Sequence, residues 1–283
     1  MNKISKSMLA VMLSVTLASG ASGQLPDLLQ GAATAAPGIS VATMQAAGHT
    51  DSPSAACAYP FTIPGTATKQ FLQYCVSPNG NIVEFQSPEG YEHIAVGAIG
   101  EGYALCDRAS GIGYLDYGDY GDFDTGHWGA PVLLNLTAAQ VKIARTTTDG
   151  NWTLTQTFVK SAADSTVKVT MALTNNTGAE RYVWLTRLTD VDADSTLPNT
   201  MDGTRNTAFG YTSSAGLGMQ LILPAASPYS HGGWAEESID RACNVGSGHT
   251  GTLIGVDGVN YFIHGISIKA GKTGTVSFKY KGI

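Results

Sequence analysis

The sequence predicts an all-β protein, one large two-sheet antiparallel β-sandwich, and three observations carry that prediction. The 283 residues include 34 glycines and only 13% charged side chains, a balance that suits many strands, many turns and a lightly charged surface. Trp152 to Phe158 and Val167 to Thr174 alternate apolar residues with threonine or other polar residues, the period of two that a half-buried strand requires. Turn chemistry then punctuates the chain at short intervals, in Asn79-Gly80, Pro88-Glu89-Gly90, Asn175-Asn176-Thr177-Gly178 and Asp257-Gly258.

In chain order, residues 1–23 read as a signal peptide. Lys3 and Lys6 precede an apolar run from Met8 to Ala18, which is too short to span a bilayer, and the small residues Ala21-Ser22-Gly23 follow. Cleavage is expected after Gly23, with the bond after Gly20 as the alternative. Residues 24–56 are rich in Ala, Gly, Ser, Thr and Pro, with too few large apolar groups to offset the entropy of ordering, and read as a flexible leader. A single β-sandwich domain is expected over 57–283.

Its expected strands are Gln70 to Val76, Ile82 to Gln86, His93 to Ala98, Tyr103 to Cys106, Leu133 to Leu136 and Val141 to Arg145. The two alternating segments follow, and then Tyr182 to Leu185, apolar on both faces and so central to a sheet. Ala208 to Tyr211, Gly218 to Leu223, Gly251 to Val256, Tyr261 to Ile268 and Thr275 to Tyr280 complete the set. No amphipathic helix competes with them.

Export sets the redox expectation. Cys57, Cys75, Cys106 and Cys243 form no C-x-x-C pair, so a zinc knuckle is disfavoured and two disulfides are expected in an oxidising compartment. Of the three connectivities, Cys75–Cys106 with Cys57–Cys243 is the favoured one. Loss of Lys3 and Lys6 with the signal moves the formal net charge from -6 to about -8, and the remaining basic residues are scattered. Nucleic acid, whose phosphates require clustered Lys and Arg, is excluded as a partner. No second run of about 20 apolar residues is present, so no membrane span is expected after signal cleavage, and the protein is placed as secreted or periplasmic.

The run from Tyr74 to Ile82 and on to Gly102-Tyr103-Ala104-Leu105-Cys106 resembles secreted bacterial proteins of unknown function. Gln156-Thr157-Phe158 through Leu173-Thr174-Asn175-Asn176-Thr177-Gly178 to Asp190 is similar in pattern to the galactose-mutarotase-like supersandwich. That resemblance implies a supersandwich-like fold. Mutarotases proper use His and Glu as acid and base, and neither matches a position here, so no catalytic residue is implied.

Three constellations are candidates for chemistry. Asp190, Asp192 and Asp194, with Asn199 and Asp202 downstream, offer several hard oxygen ligands in a short stretch, which suits Ca²⁺. The spacing departs from an EF-hand loop, with Ser195 at the sixth position and Met201 at the twelfth; a solvated acidic loop ending a strand is the alternative. Gly113 to Asp124, followed by His127-Trp128, repeats Tyr-Gly-Asp with a period of three and reads as a long loop. There Tyr114, Tyr117, Tyr120 and Trp128 could cover the C–H faces of a sugar while Asp119 and Asp122 accept from hydroxyls; simple packing of the rings is the alternative. Ser230 to Glu237 gathers His231, Trp234, Glu236 and Glu237, where a carboxylate pair could serve a hydrolase. His93 and His264 sit in apolar strands and are expected to be packed rings.

The leading functional expectation is a secreted, non-catalytic β-sandwich engaging extracellular polysaccharide or another glycan, with Ca²⁺ as its only candidate cofactor. The alternatives are a carbohydrate-active enzyme, epimerase or hydrolase, using Asp/Glu acid–base chemistry, and a structural or interaction protein of the envelope. No nucleophile elbow, P-loop, His-Glu-x-x-His or dinucleotide fingerprint occurs.

Overall fold

A computed structural model describes residues 57–67, 69–94, 100–118, 127–195, 199–204, 206–212, 216–223, 230–235, 242–243 and 250–283. The signal and leader segments expected over 1–23 and 24–56 lie outside the described residues. The strands are β1 (Tyr59–Ile63), β2 (Leu72–Val76), β3 (Ile82–Gln86), β4 (Glu101–Asp107), β5 (Ile112–Gly118), β6 (Val132–Leu136), β7 (Gln140–Thr146), β8 (Trp152–Ser161) and β9 (Thr166–Asn175). They continue as β10 (Arg181–Asp190), β11 (Asn199–Gly203), β12 (Thr207–Tyr211), β13 (Gly218–Ile222), β14 (Ser230–Ala235), β15 (Leu253–Val256), β16 (Val259–Ile268) and β17 (Thr273–Gly282).

Among the described residues these strands form two large antiparallel sheets and a small one. A nine-stranded sheet runs β15-β11-β12-β13-β17-β9-β8-β7-β6, a five-stranded sheet runs β14-β16-β10-β4-β5, and β1-β2-β3 form the third. The alternation read in the sequence is the burial pattern of β8, β9 and β17: Trp152, Leu154, Phe158, Val167, Val169, Met171, Leu173, Phe278 and Tyr280 all enter the main core. The inner faces meet where Phe262 of β16 stacks on Phe278 of β17, ring centroids 6.4 Å apart.

β10 is central, as its two-sided apolar sequence requires. It pairs with β16 along its whole length and with β4 from Val183 to Thr189. Val183 and Leu185 face the main core, while Leu188 joins a second apolar cluster with Ala104, Leu115, Tyr117, Val259, Tyr261 and Ile263 on the other face of the five-stranded sheet. Gly102 is required at this crossing, since a Cβ there would run into the Asp116 carbonyl and the Tyr117 ring. At the far edge of the nine-stranded sheet, β6 is exposed throughout, although Val132, Leu133, Leu134 and Leu136 are apolar.

Four strands escaped the sequence reading: β1, β5, β11 and β14. β5 covers much of the stretch expected to be a loop. Its alternation is interrupted by Asp116, a fully buried carboxylate whose partner, Arg145, comes from the distant β7. His93 and Ile94 form a bend rather than the start of a strand, and the rest of that expected strand lies outside the described residues.

The disulfide pairing is corrected. Cys57 bonds to Cys75, 18 residues on, and Cys106 bonds to Cys243, 137 residues on, leaving no free cysteine. The missed strand β1 explains the difference. It pairs antiparallel with β2, and Ala58 donates to the Val76 carbonyl, which brings Cys57 beside Cys75. Cys106 lies on β4 in a different sheet from Cys75, so the favoured Cys75–Cys106 pair does not form.

Candidate functional site

The end of β10 and the turn between β15 and β16 build the strongest candidate. Asp190 is the last residue of β10, and the antiparallel register sets it opposite Val259, the first residue of β16. The turn residue Asp257 is thereby delivered beside the strand end. Backbone bonds hold the Asp190–Asp192 segment in place: the Asp190 N–H donates to the Gly100 carbonyl at 2.8 Å and the Asp192 N–H to the His93 carbonyl at 3.1 Å. The Asn199 side-chain amide donates to the Val191 carbonyl at 2.8 Å, which folds Asn199 back onto this segment.

One carboxylate oxygen from each of Asp190, Asp192 and Asp257 lies within 4.8 Å of the other two, an arrangement that could hold a divalent cation. Asp190 is half-buried, Asp192 is buried and Asp257 is exposed. Burial, and then the Asp257 charge, push the Asp192 carboxyl up to about 7.

This set overlaps the expected one only in part. Asp190 and Asp192 converge because period two places them on one side of an extended chain. Asp194 does not join them. The chain turns into a short 3-10 segment over Ala193–Ser195, where Asp194 adopts a left-handed φ of 56° and its N–H donates to His93 Nδ1 at 3.1 Å. Asp202 does not join them either; it lies in β11 and accepts from the Gly203 N–H at 2.6 Å. Asp257 was read only as a hairpin turn residue. Its role becomes visible once the strand from Tyr261 is paired with the strand from Tyr182.

The aromatic constellation divides in two. Tyr114, Tyr117 and Trp128 are buried. The Tyr114 hydroxyl donates to Asp149 at 2.6 Å, Trp128 packs edge-on against Tyr103, and Tyr117 joins the outer cluster of the five-stranded sheet. These rings are packed, the alternative weighed above. Asp119, Tyr120 and Asp122 lie outside the described residues, as do Glu236 and Glu237. Ser230 to Ala235 forms the edge strand β14. His93 is the packed ring expected of it, with Nε2 2.8 Å from the Ser87 carbonyl.

A second set of charges, invisible in the sequence, lies between the sheets. Arg187 of β10 pairs with Glu101 of β4, both fully buried. The guanidinium donates to Tyr280 Oη at 2.9 Å and to the Gly80 carbonyl at 3.3 Å, and also reaches Gln156 Oε1. Glu101 accepts from the Ile82 N–H at 2.7 Å and from the Tyr280 hydroxyl. Burial pushes the Glu101 carboxyl up to about 7 against the pull of Arg187. The same pair holds the guanidinium above its ordinary value despite burial, so Arg187 stays charged. With no exposed atom, this hub ties the two large sheets together and is not a ligand site.

No protein-family model matches this chain, and no curated protein matches it in sequence. Solved structures match it in fold. A bacterial glucoamylase complexed with acarbose aligns at 10% identity and a TM-score of 0.53, over 81% of this chain and 32% of its own. The chain thus spans about a third of the length of that enzyme. A galactose mutarotase related enzyme from Lactobacillus acidophilus aligns at 8% identity and a TM-score of 0.48, over 79% of this chain and 97% of its own. A polysaccharide lyase aligns at 9% identity and a TM-score of 0.46, over 77% of this chain and 33% of its own. The fold is an all-β sandwich of large antiparallel sheets, and it resembles in fold the matched third of the glucoamylase. Among the described residues, no helix is long and apolar enough to cross a membrane.

Proposed function

We propose that this chain is a secreted carbohydrate-active protein, an enzyme of epimerase or hydrolase type that uses Asp/Glu acid–base chemistry on extracellular glycan. The fold likeness to the glucoamylase supports the substrate class. The observation that carries the reading is the convergence of carboxylates at the end of β10, where half-buried Asp190 and exposed Asp257 are the acids a sugar can reach. The second reading is calcium-assisted, non-catalytic glycan binding. It is favoured by the same cluster, since Ca²⁺ takes six to eight oxygen ligands and would keep positions open for sugar hydroxyls beyond three carboxylates. A panel of oligosaccharides incubated with the mature chain separates the two. Anomer interconversion or bond cleavage, lost in Asp257→Asn with the circular dichroism unchanged, supports the enzyme. Binding without turnover supports the second reading, and neither binding nor turnover overturns both.

A further inference from the structure

We propose that Asp190, Asp192 and Asp257 form a resident Ca²⁺ site that joins the end of β10 to the β15–β16 turn. The site deepens the calcium-assisted reading above and, with the ion bound, takes Asp190 and Asp257 out of acid–base work. Its test uses no sugar, so it stands or falls separately from glycan binding or turnover. Clustered acids alone do not make a cation site; here a separate observation points to a ligand. Asp192 is 2% exposed, and its Oδ1 has no hydrogen-bond partner. An ionised carboxylate removed from water is strongly disfavoured unless a charge or hydrogen-bond donor replaces that water. The neighbours supplied to Asp192 are two further carboxylates, with oxygens inside 4.8 Å. Its backbone is bonded to the His93 carbonyl and that of Asp190 to the Gly100 carbonyl, so the carboxylates are not free to splay apart by shifting the chain.

The donor set selects the ion. All three ligands are carboxylate oxygens, without the imidazole or thiolate that Zn²⁺ or Cu²⁺ favours. Three carboxylates drawn from a strand end, the residues after it and a hairpin turn do not constitute the rigid octahedron that Mg²⁺ demands. They suit the flexible coordination of Ca²⁺, with water completing the shell. The sequence separation of Asp257 from Asp190 means that the ion would close a long loop. Binding therefore couples directly to the tertiary fold rather than to a local peptide.

The test needs no sugar. Thermal melts of the mature full chain are compared in 10 mM CaCl₂, in 10 mM MgCl₂ and in EGTA. At an affinity typical of extracellular sites, Ca²⁺ is expected to raise the midpoint by about 5 °C, with Mg²⁺ giving less. Asp192→Asn is expected to lose most of that rise. Asp257→Asn, altered at an exposed position that does not threaten folding, is expected to lose it as well. No calcium-specific rise in the wild type, or an equal rise in Asp257→Asn, would overturn the site.

Discussion

Two regions five residues apart, one within β10 and one just past its end, treat buried charge in opposite ways. At Arg187 the protein supplies every partner itself. Glu101 comes from β4, Tyr280 from β17, Gln156 from β8 and the Gly80 carbonyl from the β2–β3 turn. At Asp192 it supplies like charge instead, with Asp190 and Asp257 alongside. The first region is closed in sequence space, since positive and negative groups are encoded together. The second has its like charges relieved only by protons or a cation from outside. A fold can thus hold charge in its interior for cohesion and at a strand end for capture, and the difference lies in whether the chain provides the counter-charge.

Breaking the closed region should have the larger effect. Arg187→Met leaves Glu101 buried beside Tyr280 without its cation, and a loss of about 3–5 kcal/mol is expected in urea unfolding. A destabilisation below about 1 kcal/mol would show that the hub is not what joins the sheets. The open region should respond with the opposite sign. Asp192→Asn in EGTA removes one of three like charges and is expected to stabilise by about 1–2 kcal/mol, whereas in Ca²⁺ the same variant should be the less stable protein. Equal destabilisation in both conditions would mean that Asp192 is an ordinary packed residue.

The smallest expected effect lies at His93, which touches the open region. Its Nε2 bonds the Ser87 carbonyl and its Nδ1 accepts from the Asp194 N–H, so the neutral ring satisfies both partners. Burial holds its pKa below the ordinary 6.5. A group with a depressed folded pKa contributes its stability in full above the unfolded value and loses it as pH falls through the folded one. Between pH 7 and pH 5 the His93 contribution should therefore decline, set against the opposite contribution of the raised Asp192 and Glu101 carboxyls. His93→Gln should accordingly lose less or gain more stability than the wild type over that range. An unchanged slope in that variant would place the acid sensitivity elsewhere.

The sheets were legible in the sequence because burial on one face writes a period of two, as in Trp152, Leu154 and Phe158. β10 announced its central place by being apolar on both faces. What escaped was whatever depends on a distant partner. Asp116 hid β5 because a buried carboxylate looks like a loop residue until Arg145 is set against it. Cys57 was mispaired because the short β1, with Pro60 inside it, gave no strand signal. At the acidic cluster, period two found Asp190 and Asp192, which share a strand direction. Proximity in sequence then wrongly added Asp194 and Asp202, because the backbone reversal at Asp194 and the β10–β16 register are tertiary facts. Asp257 enters only through that register.

The claim that the end of β10 is left open for a cation is tested most directly by calorimetric titration of Ca²⁺ into the mature chain, its Asp257→Asn variant and a Gln156→Ala variant of the closed hub. The account predicts one calcium site in the wild type, the same site in Gln156→Ala, and affinity weakened at least about tenfold in Asp257→Asn, a loss of about 1.4 kcal/mol. No binding heat in the wild type, or undiminished affinity in Asp257→Asn, would contradict it.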